Sequence, residues 1–302
     1  MLSFFPLYIG GLARRFKGRV AAAPGPPACP PKRPCYTPAM EFAADTIAFL
    51  MATAFLAGAI DAVAGGGGLI TIPALLAAGI PPVAAIGTNK LQSSFGTAGA
   101  VLAFARNGHI DFRRFAGPAF AAFVGSAAGA FILTKVSSAF LAGLLPILLV
   151  AMALYFLLAP RMGDEDRHSR FGPRLLGAAA FLIGCYDGFF GPGTGSFFTT
   201  ALVALFGLGL LRAVAHTKLL NLASNLAGLF VLIAGGHVLW LLGGAMALAS
   251  IAGGQLGAAA AMRFGARAAR PLLVVVSLAL TAKLLATPGN PLAQAIGSWI
   301  AP

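Results

Sequence analysis

Charge is what this sequence has least of: Asp, Glu, Lys and Arg together make 10% of its 302 residues, against 59% hydrophobic. Such a chain cannot present a charged surface to water, which excludes an ordinary soluble domain and makes lipid its main solvent. Acidic residues are scarcer still, 8 against 21 Lys and Arg, for a formal net charge of +13. That excess does not point to nucleic acid, because the basic residues stand in short clusters between apolar runs and no basic face carries interleaved aromatics. Cysteine is limited to Cys29, Cys35 and Cys185, which form neither a disulfide framework nor a zinc pattern. No metal ion and no cofactor is expected.

What is present is a series of apolar runs, several near the roughly 20 residues that a hydrocarbon core of about 30 Å requires of a helix. Residues 1–40 are different. Arg14, Arg15, Lys17 and Arg19 precede a proline-rich stretch from Pro24 to Pro38, which reads as a disordered basic arm and makes a poor signal-peptide core.

The rest of the chain repeats itself. An offset of 187 − 61 = 126 pairs Asp61 with Asp187, Gly65 with Gly191 and Gly67 with Gly193. After a loop the offset becomes 218 − 90 = 128 and pairs Lys90 with Lys218, Leu91 with Leu219, Gly108 with Gly236 and His109 with His237. It still holds at Gly125 with Gly253 and at Gly129 with Gly257. A duplication of this kind is common in transporters. It divides the chain into a first membrane repeat at 41–160, a charged linker at 161–174 and a second repeat at 175–302. Each repeat reads as a helix ending in Asp, a glycine-rich break, a short helix and three longer helices. In the first these fall near 43–63, 69–79, 84–105, 113–134 and 139–158; in the second, near 175–190, 194–206, 214–234, 240–262 and 271–288.

The loop charges orient these segments. Arg106, Arg113 and Arg114, then Arg161, Arg167, Arg170 and Arg174, and finally Arg263, Arg267 and Arg270 form three clusters expected on the cytoplasmic side. The loop holding Lys135 and the stretch 234–239 are poor in charge and expected outside. The Arg106 to Arg114 loop corresponds to the charge-poor 234–239 stretch, so the two copies are expected to be inverted. Inversion requires that the two segments flanking each glycine break form a hairpin that enters and leaves on one side. A spanning 43–63 segment would instead make the copies parallel. The fold class is therefore an all-α polytopic membrane protein with two internal repeats, each a glycine-broken hairpin plus three transmembrane helices.

Asp61 and Asp187 are the two acidic residues inside apolar segments. A carboxylate there costs several kcal/mol unless paired, hydrogen-bonded or protonated, so either it caps the backbone freed at the break or it handles a proton or substrate. The breaks, Gly65-Gly66-Gly67-Gly68 and Gly191-Pro192-Gly193-Thr194-Gly195, disfavour helix and predict unwound backbone lining a cavity. The half-helices that follow begin with unpaired N–H groups, which attract anions. The following helix of each copy is polar where lipid demands otherwise, with Thr88, Asn89, Lys90, Gln92 and Ser93 in the first and His216, Thr217, Lys218, Asn221 and Asn225 in the second. One lysine could snorkel to the interface. Two equivalent lysines with amides and hydroxyls beside them form a converging donor set suited to an anion with several oxygens. His109 and His237 read as interfacial.

At these residues the chain resembles the sulfite exporter TauE/SafE family of permeases. The resemblance is carried by Ala64 to Leu69 with Pro73, by Gly87-Thr88-Asn89-Lys90-Leu91-Gln92-Ser93-Ser94, by Tyr186-Asp187-Gly188-Phe189-Phe190-Gly191-Pro192-Gly193-Thr194-Gly195 and by Ala215-His216-Thr217-Lys218-Leu219-Leu220-Asn221. It extends from about residue 42 to the C-terminus. It implies movement of small sulfur anions such as sulfite, thiosulfate or sulfonates across the bacterial inner membrane. The expected function is secondary transport by alternating access, with the small anion and the lipid bilayer as partners and homo-oligomerisation compatible with the sequence. The rival classes are an intramembrane aspartyl hydrolase using Asp61 and Asp187, which lacks the Gly-x-Gly-Asp context and sits among lysines and amides, and a non-transporting assembly partner.

Met40 opens an apolar segment at once, so translation is expected to start there. Mass spectrometry of the native protein should then find no N-terminal peptide containing Ala21 or Pro31.

Overall fold

The computed structural model describes residues 43–158 and 172–264. The arm, most of the charged linker and the helix expected over 271–288 lie outside the described residues, as do Cys29, Cys35 and His168. Among the described residues there are nine helices and no strand. They are α1 (Ala44–Ala64), α2 (Gly68–Ala77), α3 (Pro82–Arg106), α4 (Phe112–Leu133), α5 (Ser138–Leu158), α6 (Pro173–Phe189), α7 (Thr194–Ala204), α8 (Leu210–Ala234) and α9 (Trp240–Phe264). Each expected segment in the described region is matched by a helix. The largest shift is at α8, which begins at Leu210 rather than 214 and takes Arg212 into its first turn.

Four of these helices, α1, α4, α8 and α9, are long and apolar enough to cross a membrane. At 25 residues α3 is as long as α8, but the polar run from Thr88 to Ser94 lowers its hydropathy. The exterior carries Phe120, Leu182, Leu241 and Leu248 exposed, while Lys90, Lys218, Thr88, Thr217 and Ser224 are fully buried. This reverses the order of a soluble protein, as a lipid solvent requires.

Contacts along the helices fix their directions. On α1 and α9, Phe55 meets Gly253 and Ala59 meets Gly257; on α3 and α9, Leu91 meets Gly243 and Gly96 meets Ser250. The numbers rise together, so α1, α3 and α9 run the same way. On α4 and α6, Gly125 meets Phe181 and Gly129 meets Cys185. On α4 and α8, Phe115 stacks on His216 and Ser126 donates to the Ser224 carbonyl, which makes α4, α6 and α8 a second parallel trio. The trios oppose each other: Gly87 near the start of α3 adjoins His237 just beyond α8, and Phe104 near the end of α3 packs with Leu210 and Val214 at the start of α8. Because α1 and α3 run the same way, the chain must come back between them, and α2 with the preceding glycines makes that return. At only 10 residues, α2 is about 15 Å long.

Each trio therefore holds two helices from one side of the charged linker and one from the other. The long helices meet at small residues. A Cβ on Gly125 or Gly129 would lie 2.1 or 1.9 Å from the Phe181 or Cys185 carbonyl oxygen, and one on Gly253 or Gly257 would lie 2.0 or 2.2 Å from that of Phe55 or Ala59. Lipid supplies no hydrophobic force between helices, so this backbone-to-backbone approach is what binds them. His109 and His237 sit half-buried in the turns after α3 and α8, and burial pulls the His237 imidazole below its ordinary pKa.

Gly129→Val is expected to lower the unfolding midpoint of the detergent-solubilised protein, at a cost of about 1–3 kcal/mol from overpacking. Gly117→Ala, on the same helix with nothing within 4 Å, should change stability by less than about 1 kcal/mol. Scanning fluorimetry compares the two.

Candidate functional site

The two glycine breaks meet back to back. Gly65 ends α1 with φ 78°, a left-handed conformation that spares glycine any steric cost, and its N–H closes the helix onto the Asp61 carbonyl. A Cβ on Gly65 would lie 2.5 Å from the Gly195 carbonyl carbon, and one on Gly195 would lie 2.5 Å from the Gly65 Cα. The Ser196 hydroxyl, from the first turn of α7, donates to the Ala64 carbonyl at 2.5 Å. Nothing larger than glycine lets the end of α1 touch the first turn of α7 in this way.

Beside the crossing, each buried lysine holds the aspartate of the other half. Lys90 on α3 donates to Asp187 Oδ2 at 2.6 Å and to Asn225 Oδ1 at 3.0 Å. Lys218 on α8 donates to Asp61 Oδ2 at 3.0 Å and, in a short contact, to the Asp61 backbone carbonyl. Asp61 also caps its own break, since the Gly67 N–H donates to its Oδ1 at 3.1 Å. Two ammonium groups and two carboxylates leave the centre with no net charge.

Between these groups lies a cavity of about 20 Å³, which holds about one water molecule. Its walls are Asp61, Asp187, Asn89, Ser93, Asn221 and Asn225, together with Gly65, Gly68, Gly191, Gly193 and Gly195. The expected donor set thus divides. Asn89 and Ser93, four residues apart on α3, and Asn221 and Asn225, four apart on α8, face the cavity. The lysines are not among the walls: each is held in an ion pair by one of the two carboxylates, and Lys90 also by Asn225. Thr88 and His216 do not line it either. They are matching struts, Thr88 Oγ1 accepting from the Leu239 N–H at 3.2 Å and His216 Nε2 from the Asp111 N–H at 3.0 Å. Thr217 bonds Thr199 at 3.1 Å, and Gln92 donates to Ser93 at 2.8 Å. Gly66, Gly67, Pro192 and Thr194 form the turns without lining the cavity; Pro192 accepts from the Tyr186 hydroxyl at 2.7 Å.

The sequence reading missed Thr71, which donates to Asn89 Oδ1 at 2.5 Å, and Thr199. They are related by 199 − 71 = 128, the same offset that pairs the lysines, so the duplication contained the signal. Ser126 was missed as well; it is fully buried, and its hydroxyl ties α4 to the Ser224 carbonyl at 2.6 Å. Among the described residues no group of His, Cys, Asp or Glu is arranged to hold a metal.

The description "Sulfite exporter TauE/SafE" matches residues 50–284. The chain belongs to the TauE/SafE family. A relative in Sinorhizobium sp, described as probable membrane transporter protein ORF9, is 49% identical over 83% of this chain and 97% of its own length. A probable membrane transporter protein of Haemophilus influenzae is 43% identical over 83% and 98%, and YfcA of Escherichia coli K12, also described as a probable membrane transporter protein, is 44% identical over 78% and 88%. No solved structure matches this TauE/SafE chain. The family is one of membrane transporters and not of enzymes, so the hydrolase reading falls. The geometry agrees, since Asp61 and Asp187 are each paired with a lysine, whereas an aspartyl dyad shares one proton between its two carboxyls.

Lys90→Ala leaves Asp187 buried and uncompensated and should destabilise the purified protein by about 3–5 kcal/mol. Lys90→Met combined with Asp187→Leu should recover most of that loss, giving a large coupling in a double-mutant cycle of thermal midpoints.

Proposed function

We propose that this multi-pass membrane transporter carries a small sulfur-containing oxyanion, such as sulfite, thiosulfate or a sulfonate, through the bacterial inner membrane by alternating access. The observation that carries the reading is the cavity where the two glycine breaks meet, walled by amide and hydroxyl groups from both halves. The donors that bind the anion are Asn89, Ser93, Asn221 and Asn225, with the backbone of the two breaks. The lysines act through the carboxylates they hold.

The duplication gives the alternation its form. The two halves are inverted repeats, so α1, α3 and α9 correspond to α6, α8 and α4. Equivalent helices run in opposite directions, which accords with the loop charges. A site at the junction can open to one side by rocking one trio against the other and to the other side by the reverse motion. A volume of about 20 Å³ is too small for such an anion, so in this reading the cavity widens as the anion enters.

Proteoliposomes containing the purified protein should take up radiolabelled thiosulfate or sulfite well above protein-free vesicles. Asn221→Ala and Ser93→Ala should each lower the transport efficiency about tenfold, the effect of losing one hydrogen bond to a charged group. Absence of flux for sulfite, thiosulfate and sulfonates alike would overturn the substrate class.

A further inference from the structure

Asp61 and Asp187 are equivalent in the duplication but not in their surroundings. The Asp187 side chain is 2% exposed and held at 2.6 Å by Lys90. The Asp61 side chain is 19% exposed and held at 3.0 Å by Lys218. Both line the cavity, whereas neither lysine does. An oxyanion entering between the breaks therefore meets two carboxylates, each paired with a lysine. Like charges at such distances exclude one another unless one is neutralised.

From this geometry we infer that Asp61 is a proton-binding site: it takes up one proton as the anion enters, which leaves the charge of Lys218 uncompensated beside the cavity, where it offsets that of the anion. The inference rests on the oxyanion reading above. The proton comes from water reaching the exposed edge of the carboxyl and bonds to Oδ2, and the Lys218 contact to that oxygen opens. Lys218 keeps the Asp61 backbone carbonyl as acceptor, so its ammonium group is not stranded. Oδ1 keeps the Gly67 N–H, so the break stays capped.

The charged groups facing Asp61 are Lys218 on α8 and, across the cavity, Asp187 on α6 with its partner Lys90 on α3. Of the other helices packed on α1, α2 and α7 carry no ionisable residue, and α9 meets it at Phe55, Gly58 and Ala59 through Ser250, Gly253, Gly254 and Gly257. With Asp61 neutral, the two lysines and Asp187 leave the centre at +1. Each transport step then moves a proton with the anion, and the proton gradient can drive it.

The test measures binding of thiosulfate and methanesulfonate, whose own charges are constant near neutral pH, to the purified full chain by titration calorimetry. In buffers of different ionisation heat the wild type should take up about one proton per anion, and over the same pH range its Kd should rise about tenfold per pH unit. Asp61→Asn should give a flat pH profile and no proton uptake, whatever its affinity, while Asp61→Glu should retain both. Anion-induced infrared difference spectra provide a readout that needs no neutral variant: a protonated-carboxyl band should form in the wild type and move in Asp61→Glu. Anion binding without proton uptake in the wild type would overturn the inference and leave the transport reading intact. A pH profile flattened by Asp187→Asn but not by Asp61→Asn would overturn the assignment to Asp61. If no oxyanion bound and none were transported, the substrate class would fall and this inference with it.

Discussion

Everything at the centre of this protein depends on two ion pairs that cross between its halves. Lys90 reaches Asp187 and Lys218 reaches Asp61, so each half supplies an ammonium group to the other's carboxylate. In a low-dielectric interior neither charge is tolerable without its counter-ion, and removing one partner costs far more than the pair itself contributes. The glycine breaks are arranged around this requirement. The Asp61 carbonyl that the Gly65 N–H closes onto at the end of α1 also accepts from Lys218, and the bare backbones of Gly65 and Gly195 let the two aspartates reach one small cavity. Charge pairing, backbone irregularity and cavity are thus three aspects of a single arrangement.

The surrounding helices solve a different problem. Lipid gives no reward for hiding an apolar side chain, so the trios are joined by contact between backbones at Gly125, Gly129, Gly253 and Gly257 and by buried hydroxyls such as Ser126. In the transport reading proposed above, the pair of broken hairpins forms the seam between the trios.

Much of this was legible in the sequence. Hydropathy located the helices, glycine and proline located the breaks, and the 126 and 128 offsets paired the residues that prove to be central. Which lysine meets which aspartate was not legible, because both halves carry the same pair at the same spacing and local sequence does not distinguish partners in one copy from partners across copies. The donor set was read too generously for a simpler reason. Successive residues on an α-helix point about 100° apart, so Thr88, Asn89 and Lys90 cannot all face one cavity. Asn89 with Ser93 and Asn221 with Asn225 share a face at a separation of four, whereas His216 and Thr88 point to the turns they support.

The mixed trios also govern how the protein can be made. When α1 and α3 have entered the bilayer, the helix that completes their trio, α9, begins only at Trp240, and the counter-ion for Asp61 arrives only with Lys218. The nascent first half must therefore wait in the membrane with an unpaired carboxylate and an unfilled groove until nearly the whole described chain has been synthesised. Neither half completes its own trio or pairs its own aspartate with its own lysine.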